Sequence, residues 1–197
     1  MTSLRIIGAG GHGKVVADTA EALEYEGISF LDHDWPGRDT NGRWRIVGQP
    51  SELGGQRFCA IGDNAVRARM FETLDLYDSP VLAHPSSMVS TSAQLGAGTF
   101  LAAGVVVNAD ARLGCGVILN TGCSVDHDCI LGDFVHVSPG ARLAGNVEIG
   151  ANSWIGIGAV VREGVRIGRD VIVGAGAAVV EDVDDGVRVG GVPAKRI

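Results

Sequence analysis

From Val89 onward the chain places an aliphatic residue at every sixth position: Val89, Leu95, Leu101, Val107, Leu113, Leu119, Val125, Leu131, Val137, Leu143, Ile149, Ile155, Val161, Ile167, Val173 and Val179. Four residues after each stands a small or β-branched residue, among them Ala93, Thr99, Val105, Cys123, Cys129, Val135, Ala141 and Val183. A sustained hexad of this kind predicts a parallel β-helix. Three hexads close one triangular coil of about 18 residues, with the aliphatic position turned inward, and about five coils follow. Gly96, Gly114, Gly132, Gly150 and Gly168 recur at that same interval, so they are expected to stack at one corner, where the turn would need conformations closed to residues with a Cβ. Cys123 and Cys129 fall on inward positions and read as small core residues.

Before Pro80 the period is different. Leu4 to Ile7 reads as a strand, Gly8-Ala-Gly10-Gly-His12-Gly13 as a turn, and Lys14 to Glu24 as a helix with Val15, Val16, Ala20 and Leu23 near helical spacing. Ile28 to Leu31 and Phe58 to Ile61 are further strands, Asn64 to Leu76 a second helix, and Asn41-Gly42 beside Arg43 to Val47 a hairpin or tight loop. Strands alternating with helices predict a small parallel α/β domain over residues 1–79, ahead of a β-helix over 80–197.

Glycine at 30 of 197 residues is about twice average usage, yet no Gly-X-Y triplet persists, and 46% hydrophobic against 20% charged residues predicts a folded chain. The net charge of −7 argues against a nucleic-acid surface or a polybasic membrane contact and favours small-molecule partners. Neither a secretory leader nor an apolar run of about 20 residues is evident, so a cytoplasmic location is expected. Cys59, Cys115, Cys123 and Cys129 form no CxxC pair, which predicts reduced thiols and no structural zinc.

The bland hexads are broken at Leu119-Asn120-Thr-Gly-Cys-Ser-Val125-Asp126-His127-Asp128. His127 and Asp128 occupy the third and fourth hexad positions, neither of which points inward. The carboxylate can hold one imidazole tautomer and raise its basicity. Gly145 lies 18 residues on, hence about one strand spacing (~4.8 Å) above, with a bare amide available to an oxyanion. His136 and Trp154 are also 18 apart, on outward positions, and the nine residues between His127 and His136 turn those two away from each other within one prism.

This hexad pattern, with the closing Gly191-Val-Pro193-Ala-Lys195-Arg196, resembles the hexapeptide-repeat acyltransferases. Together with Gly-Ala-Gly-Gly-His-Gly near the start it is similar to the PglD/NeuD-type sugar acetyltransferases. The resemblance implies a left-handed β-helix behind a Rossmann-like domain, acetyl-CoA as co-substrate, no metal, and a homotrimer with sites between subunits. It also implies a nucleotide-linked amino sugar as acceptor, acetylated on its 4-amino group. Within it, His127 followed by an acid matches the catalytic histidine. Gly11, His12, Gly13, Asp32, Gly62, Asn64 and Arg67 fall in the nucleotide-sugar site, His136 matches a histidine that contacts acetyl-CoA, and Ile157 and Ala175 offer backbone contacts to CoA.

Gly8-x-Gly10-x-x-Gly13 with Asp32 is also the dinucleotide fingerprint, but a domain of about 80 residues holds roughly half the strands of a full dinucleotide fold, which favours a nucleotide sugar over NAD. Asp63 and Asn64 are also simple helix-capping types. O-acetylation of sialic acid or another sugar hydroxyl remains open, as does a non-catalytic or metal-binding β-helix, although the latter needs three convergent histidines.

Overall fold

The computed structural model describes residues 3–52 and 54–197. Strands β1 (Ser3–Ile7), β2 (Gly27–Leu31), β3 (Thr40–Asn41), β4 (Trp44–Gly48) and β5 (Gln56–Cys59) form one sheet in the order β3-β4-β2-β1-β5, with helices α1 (Gly11–Ala22) and α2 (Asn64–Leu74) in the β1 to β2 and post-β5 connections. Pairing is parallel except for the β3–β4 hairpin turned by Asn41-Gly42. The first helix begins at Gly11, three residues before the expected Lys14, so the glycine segment supplies its first turn. Gly13 must be bare there, because a Cβ would overlap the Gly8 carbonyl oxygen and stand 2.9 Å from the Phe30 ring.

The remainder is the β-helix that the hexads predict, built of two-residue strands on three faces. Face I runs through Leu82–Ala83, Phe100–Leu101, Ile118–Leu119, His136–Val137, Trp154–Ile155 and Ile172–Val173. Face II runs from Met88–Val89 to Ala178–Val179, and face III from Gln94–Leu95 to Arg166–Ile167. Each strand pairs in parallel with the one 18 residues on, as in His136 with Trp154. Inside, Val107, Leu119, Val125, Val137 and Ile155 are sealed from solvent, with Cys123 and Cys129 among them. Burial pushes the Cys123 thiol up to about 12, so it is a packing group and not a nucleophile.

The recurring glycines correct one expectation. Gly96, Gly114, Gly132, Gly150 and Gly168 are absent from the positions with left-handed backbone; they are bare because a Cβ would run into the next coil, as at Gly150 against Arg169 N at 2.5 Å. The left-handed φ falls two residues later in each turn, on Gly98, Asp110, Gly116, Asp128, Phe134, Asn146, Asn152 and Asp170. Gly, Asn and Asp are the types that tolerate it; the exception, Phe134, is compensated by packing.

That packing joins the two domains. The Phe71 ring of α2 meets Phe134 at 5.1 Å, edge to face, in a cluster with Ile7, Leu31, Cys59 and Leu76. Gly98 and Gly116, below Phe134 on the same corner, leave the space these rings fill: a Cβ at Gly98 would overlap Phe71, and one at Gly116 would stand 2.7 Å from Phe134. On face I, Phe100 packs edge to face against Phe58 of β5 at 6.2 Å.

Candidate active site

The order β4-β2-β1-β5 means that the chain moves outward from β1 through β2 to β4 and then returns to the other side of β1 for β5. The carboxyl ends of β1 and β5 are therefore the point at which the strand order reverses, where open α/β sheets bind ligands. Those ends carry Gly8 to Gly13 and Gly62 to Asn64. The Gly10, Gly11 and Gly62 Cα atoms each face open space. Gly10, the N-cap of α1, supplies no side-chain cap, and the first turn has no acidic residue, so the amides of Gly11, His12 and Gly13 are left for an anion.

Asp32, at the end of β2, organises this loop. Its Oδ2 accepts from the Ala9 N–H at 2.6 Å and its Oδ1 from the Asp34 N–H at 3.0 Å, while Arg38 donates to the Ala9 carbonyl at 2.5 Å. Asp63 caps α2 by accepting from the Val66 N–H at 2.9 Å.

Asn64 and Arg67 do not present side chains to a substrate, contrary to their expected role. Arg67 is 0% exposed, and all five of its guanidinium N–H groups are taken: Nε donates to Gly116 O, Nη1 to Ile61 O and Gly62 O, and Nη2 to Asn64 Oδ1 and Phe134 O, all between 2.8 and 3.0 Å. The Asn64 amide donates to Asn152 O at 2.8 Å and Ser153 O at 3.2 Å. Both residues join the α/β domain to the β-helix.

His136 lies in this junction, its ring 4.2 Å from that of Trp154 and 6.4 Å from that of His12. Its Nδ1 stands 3.3 Å from Gly62 O, an acceptor, so Nδ1 carries the proton and Nε2 accepts from the Asn120 amide at 3.3 Å. Burial pushes the pKa of His136 down to about 4 and that of His12 to about 3, keeping both neutral. Asn120 was not assigned from sequence; its proximity to His136, 16 residues away, follows from the coil length.

His127 stands at the corner between faces II and III, its side chain 55% exposed. Nδ1 is 2.8 Å from Asp128 Oδ2. This hydrogen bond raises the imidazole pKa above its ordinary 6.5 and leaves Nε2 facing outward as a base. The left-handed φ of +59° at Asp128 makes the contact possible, so a residue type that the turn tolerates also supplies the carboxylate. Asp126, missed as a participant, accepts from the His127 N–H and from Asn108, 18 residues below, both at 2.8 Å. The Gly145 N–H, one coil up, has no acceptor among the described residues.

The corner between faces I and II carries Thr121, Pro139, Ile157 and Ala175 in one column. The Thr121 N–H is satisfied by Asn120 Oδ1 at 2.9 Å, and proline has none. Ile157 and Ala175 are thus where this column offers free amides, and Ile157 is itself 57% exposed. Within one chain the structure groups Gly11 to Gly13, Asp32 and Gly62 at the sheet ends, with His12 and His136 below them. It does not bring His127 to any of these or to Ile157 and Ala175. Among the described residues no group of three or more His, Cys, Asp or Glu could hold a metal, and no helix is long and apolar enough to cross a membrane.

Residues 3–74 match the PglD N-terminal domain family, and residues 146–180 match the bacterial transferase hexapeptide (six repeats) family. The acetyltransferase domain of PglB from Neisseria gonorrhoeae FA1090, in complex with acetyl coenzyme A, is 43% identical, with a TM-score of 0.94 over 99% of this chain and 98% of that one. PerB from Caulobacter crescentus, in complex with CoA and GDP-perosamine, is 40% identical, with a TM-score of 0.92 over 100% of this chain and 98% of that one. A UDP-N-acetylbacillosamine N-acetyltransferase of Bacillus subtilis (strain 168) is 37% identical over 113 residues, 52% of this chain and only about half, 52%, of that enzyme's length. With whole-length identity to the first two, the chain belongs to the PglD/NeuD-type sugar acetyltransferases of the hexapeptide-repeat acyltransferase family.

Proposed function

We propose that this enzyme transfers the acetyl group of acetyl-CoA to the 4-amino group of a nucleotide-linked amino-deoxy sugar, with His127 as general base. The observation that carries the proposal is the corner at His127: an imidazole with Nδ1 tied to Asp128, a free Nε2, and an unpaired Gly145 amide beside it. Nε2 removes the proton as the sugar amine attacks the thioester carbonyl, and the Gly145 N–H stabilises the oxyanion, worth roughly 3 kcal/mol for one well-placed donor. The imidazolium, stabilised by Asp128, then protonates the thiolate leaving group, and no acyl-enzyme forms. The amides of Gly11 to Gly13 meet the diphosphate, and Gly62 borders the sugar. Ile157 and Ala175 bind the pantetheine arm, with His136 behind the acetyl site.

A homotrimer completes the site. His127 and the Ile157–Ala175 column flank the same face, face II, whose outward column of Met88, Val106, Ser124, Arg142, Val160 and Ala178 is mostly apolar, with Met88 70% exposed. Packing face II around a threefold axis sets the His127 corner of one subunit against the CoA corner of the next, a closed heterologous arrangement. A cytoplasmic location, where acetyl-CoA is available, fits this reading. Incubation with acetyl-CoA and a panel of UDP-, dTDP- and GDP-linked 4-amino sugars plus sialic acid, following thiol release, tests it. Turnover with an amino sugar and an N-acetyl product is expected; turnover with sialic acid alone, or with nothing, contradicts it.

A further inference from the structure

Arg67 is the most deeply enclosed cation in the molecule, and the chemistry above does not use it. No carboxylate lies in ion-pair contact with it among the described residues. Its five partners are four main-chain carbonyls and the Asn64 side-chain oxygen, drawn from three separate stretches of chain. Two of them, Gly116 O and Phe134 O, sit 18 residues apart on one corner of the β-helix, at successive left-handed turns. Two others, Ile61 O and Gly62 O, belong to the loop leaving β5 at the crossover point of the sheet. The Gly62 carbonyl is held twice, by Arg67 Nη1 at 3.0 Å and by His136 Nδ1 at 3.3 Å. Burying a charge without a counter-ion is costly, and satisfying every donor with a carbonyl is what makes it tolerable. A hydrophobic residue would hold the domains together at lower cost, so packing alone does not account for this one.

We propose that Arg67 is a positioning residue: its guanidinium fixes the Ile61–Gly62 peptides to the β-helix and thereby sets where the acceptor sugar lies relative to the acyl site. The inference rests on the reading of Gly62 as part of the nucleotide-sugar site. It makes the two domains one rigid template for the acceptor, with no closure step on that side. The planar five-donor fork is essential to the task; a lysine, with three donors on one nitrogen, cannot span both corner carbonyls and the loop.

The test compares R67K with F71L, which loosens the same α2 dock without touching the Gly62 carbonyl. Both variants are assayed with acetyl-CoA and the best amino-sugar nucleotide of the panel, and both are checked for melting temperature and oligomeric state. R67K is expected to raise KM for the nucleotide sugar at least tenfold and to lower kcat, while KM for acetyl-CoA changes less than twofold. F71L is expected to lower the melting temperature with both KM values unchanged. If R67K does not fold, R67Q is the second variant, with the same comparison. A folded R67K or R67Q with an unchanged nucleotide-sugar KM, or with both KM values moved equally, overturns the positioning role alone. Wild-type protein that turns over no amino sugar overturns the acceptor assignment and this proposal together.

Discussion

The imidazole of His127 lies against the bare Cα of Gly145: a Cβ built there would stand 2.5 Å from Cε1 and 2.6 Å from Nε2. Gly145 has no left-handed φ, so alanine fits the backbone, and only the ring must move. Gly145→Ala should therefore keep the wild-type melting temperature and lose about 100-fold in kcat, the scale of a 1 Å misplacement of a catalytic group. Steady-state kinetics with thermal melts checks this; a G145A variant with wild-type kcat would refute the ring placement.

Asp128 sets the pH dependence. Its hydrogen bond raises the His127 pKa, and a general base acts only when neutral, so kcat/KM should fall on the acid side with a limb above the ordinary 6.5. Asp128→Asn keeps a residue that tolerates φ of +59° while removing the charge. The acid limb should shift to lower pH and the plateau should drop at least about tenfold as the tautomer is lost. An unmoved limb in the pH profile would place the titrating base elsewhere.

The junction histidines give stability a pH dependence of its own. Folded His12 and His136 have pKa values pushed down to about 3 and about 4, against 6.5 when unfolded. Below about pH 6.5 the unfolded chain takes up protons that the folded one does not, so stability is complete above that value and declines as pH falls towards 4. The slope is at most about 1.4 kcal/mol per pH unit for each residue. Urea unfolding at pH 7, 6 and 5 measures it, and His136→Asn should flatten the trend. Equal stability at pH 7 and 5 would mean that neither imidazole is held neutral.

Gly98 and Gly186 share a left-handed φ but differ in surroundings. A Cβ at Gly98 overlaps Phe71, whereas Gly186 faces open space. Gly98→Ala should cost roughly 2–4 kcal/mol, combining backbone strain with overpacking, and Gly186→Ala roughly 1–2. Equal losses in denaturant titrations would show that the aromatic dock on that corner does not confine Gly98.

The β-helix is legible in the sequence because an inward position at every sixth residue is a one-dimensional record of a three-sided coil. His127 over Gly145 and His136 under Trp154 follow from adding 18. Helix α1 was placed three residues late because glycines at Gly11 and Gly13 read as a turn, while the sheet fold needs them as the bare first turn of the helix. Arg67 was misread for a more general reason. Its partners lie up to 67 residues away and are mostly main-chain carbonyls, which every residue carries and no side-chain pattern marks. The docking of the α/β domain on face I is likewise a meeting of surfaces, and Phe134 in a left-handed turn is its only trace in the repeat.

The most direct test of the account is the rate of CoA release by His127→Ala, with acetyl-CoA and the amino-sugar nucleotide that the wild-type enzyme uses best. A loss of at least about 100-fold, in protein with unchanged melting temperature and unchanged acetyl-CoA affinity, is the predicted result. A His127→Ala variant that acetylates at a near-normal rate would contradict the assignment of His127 as the base.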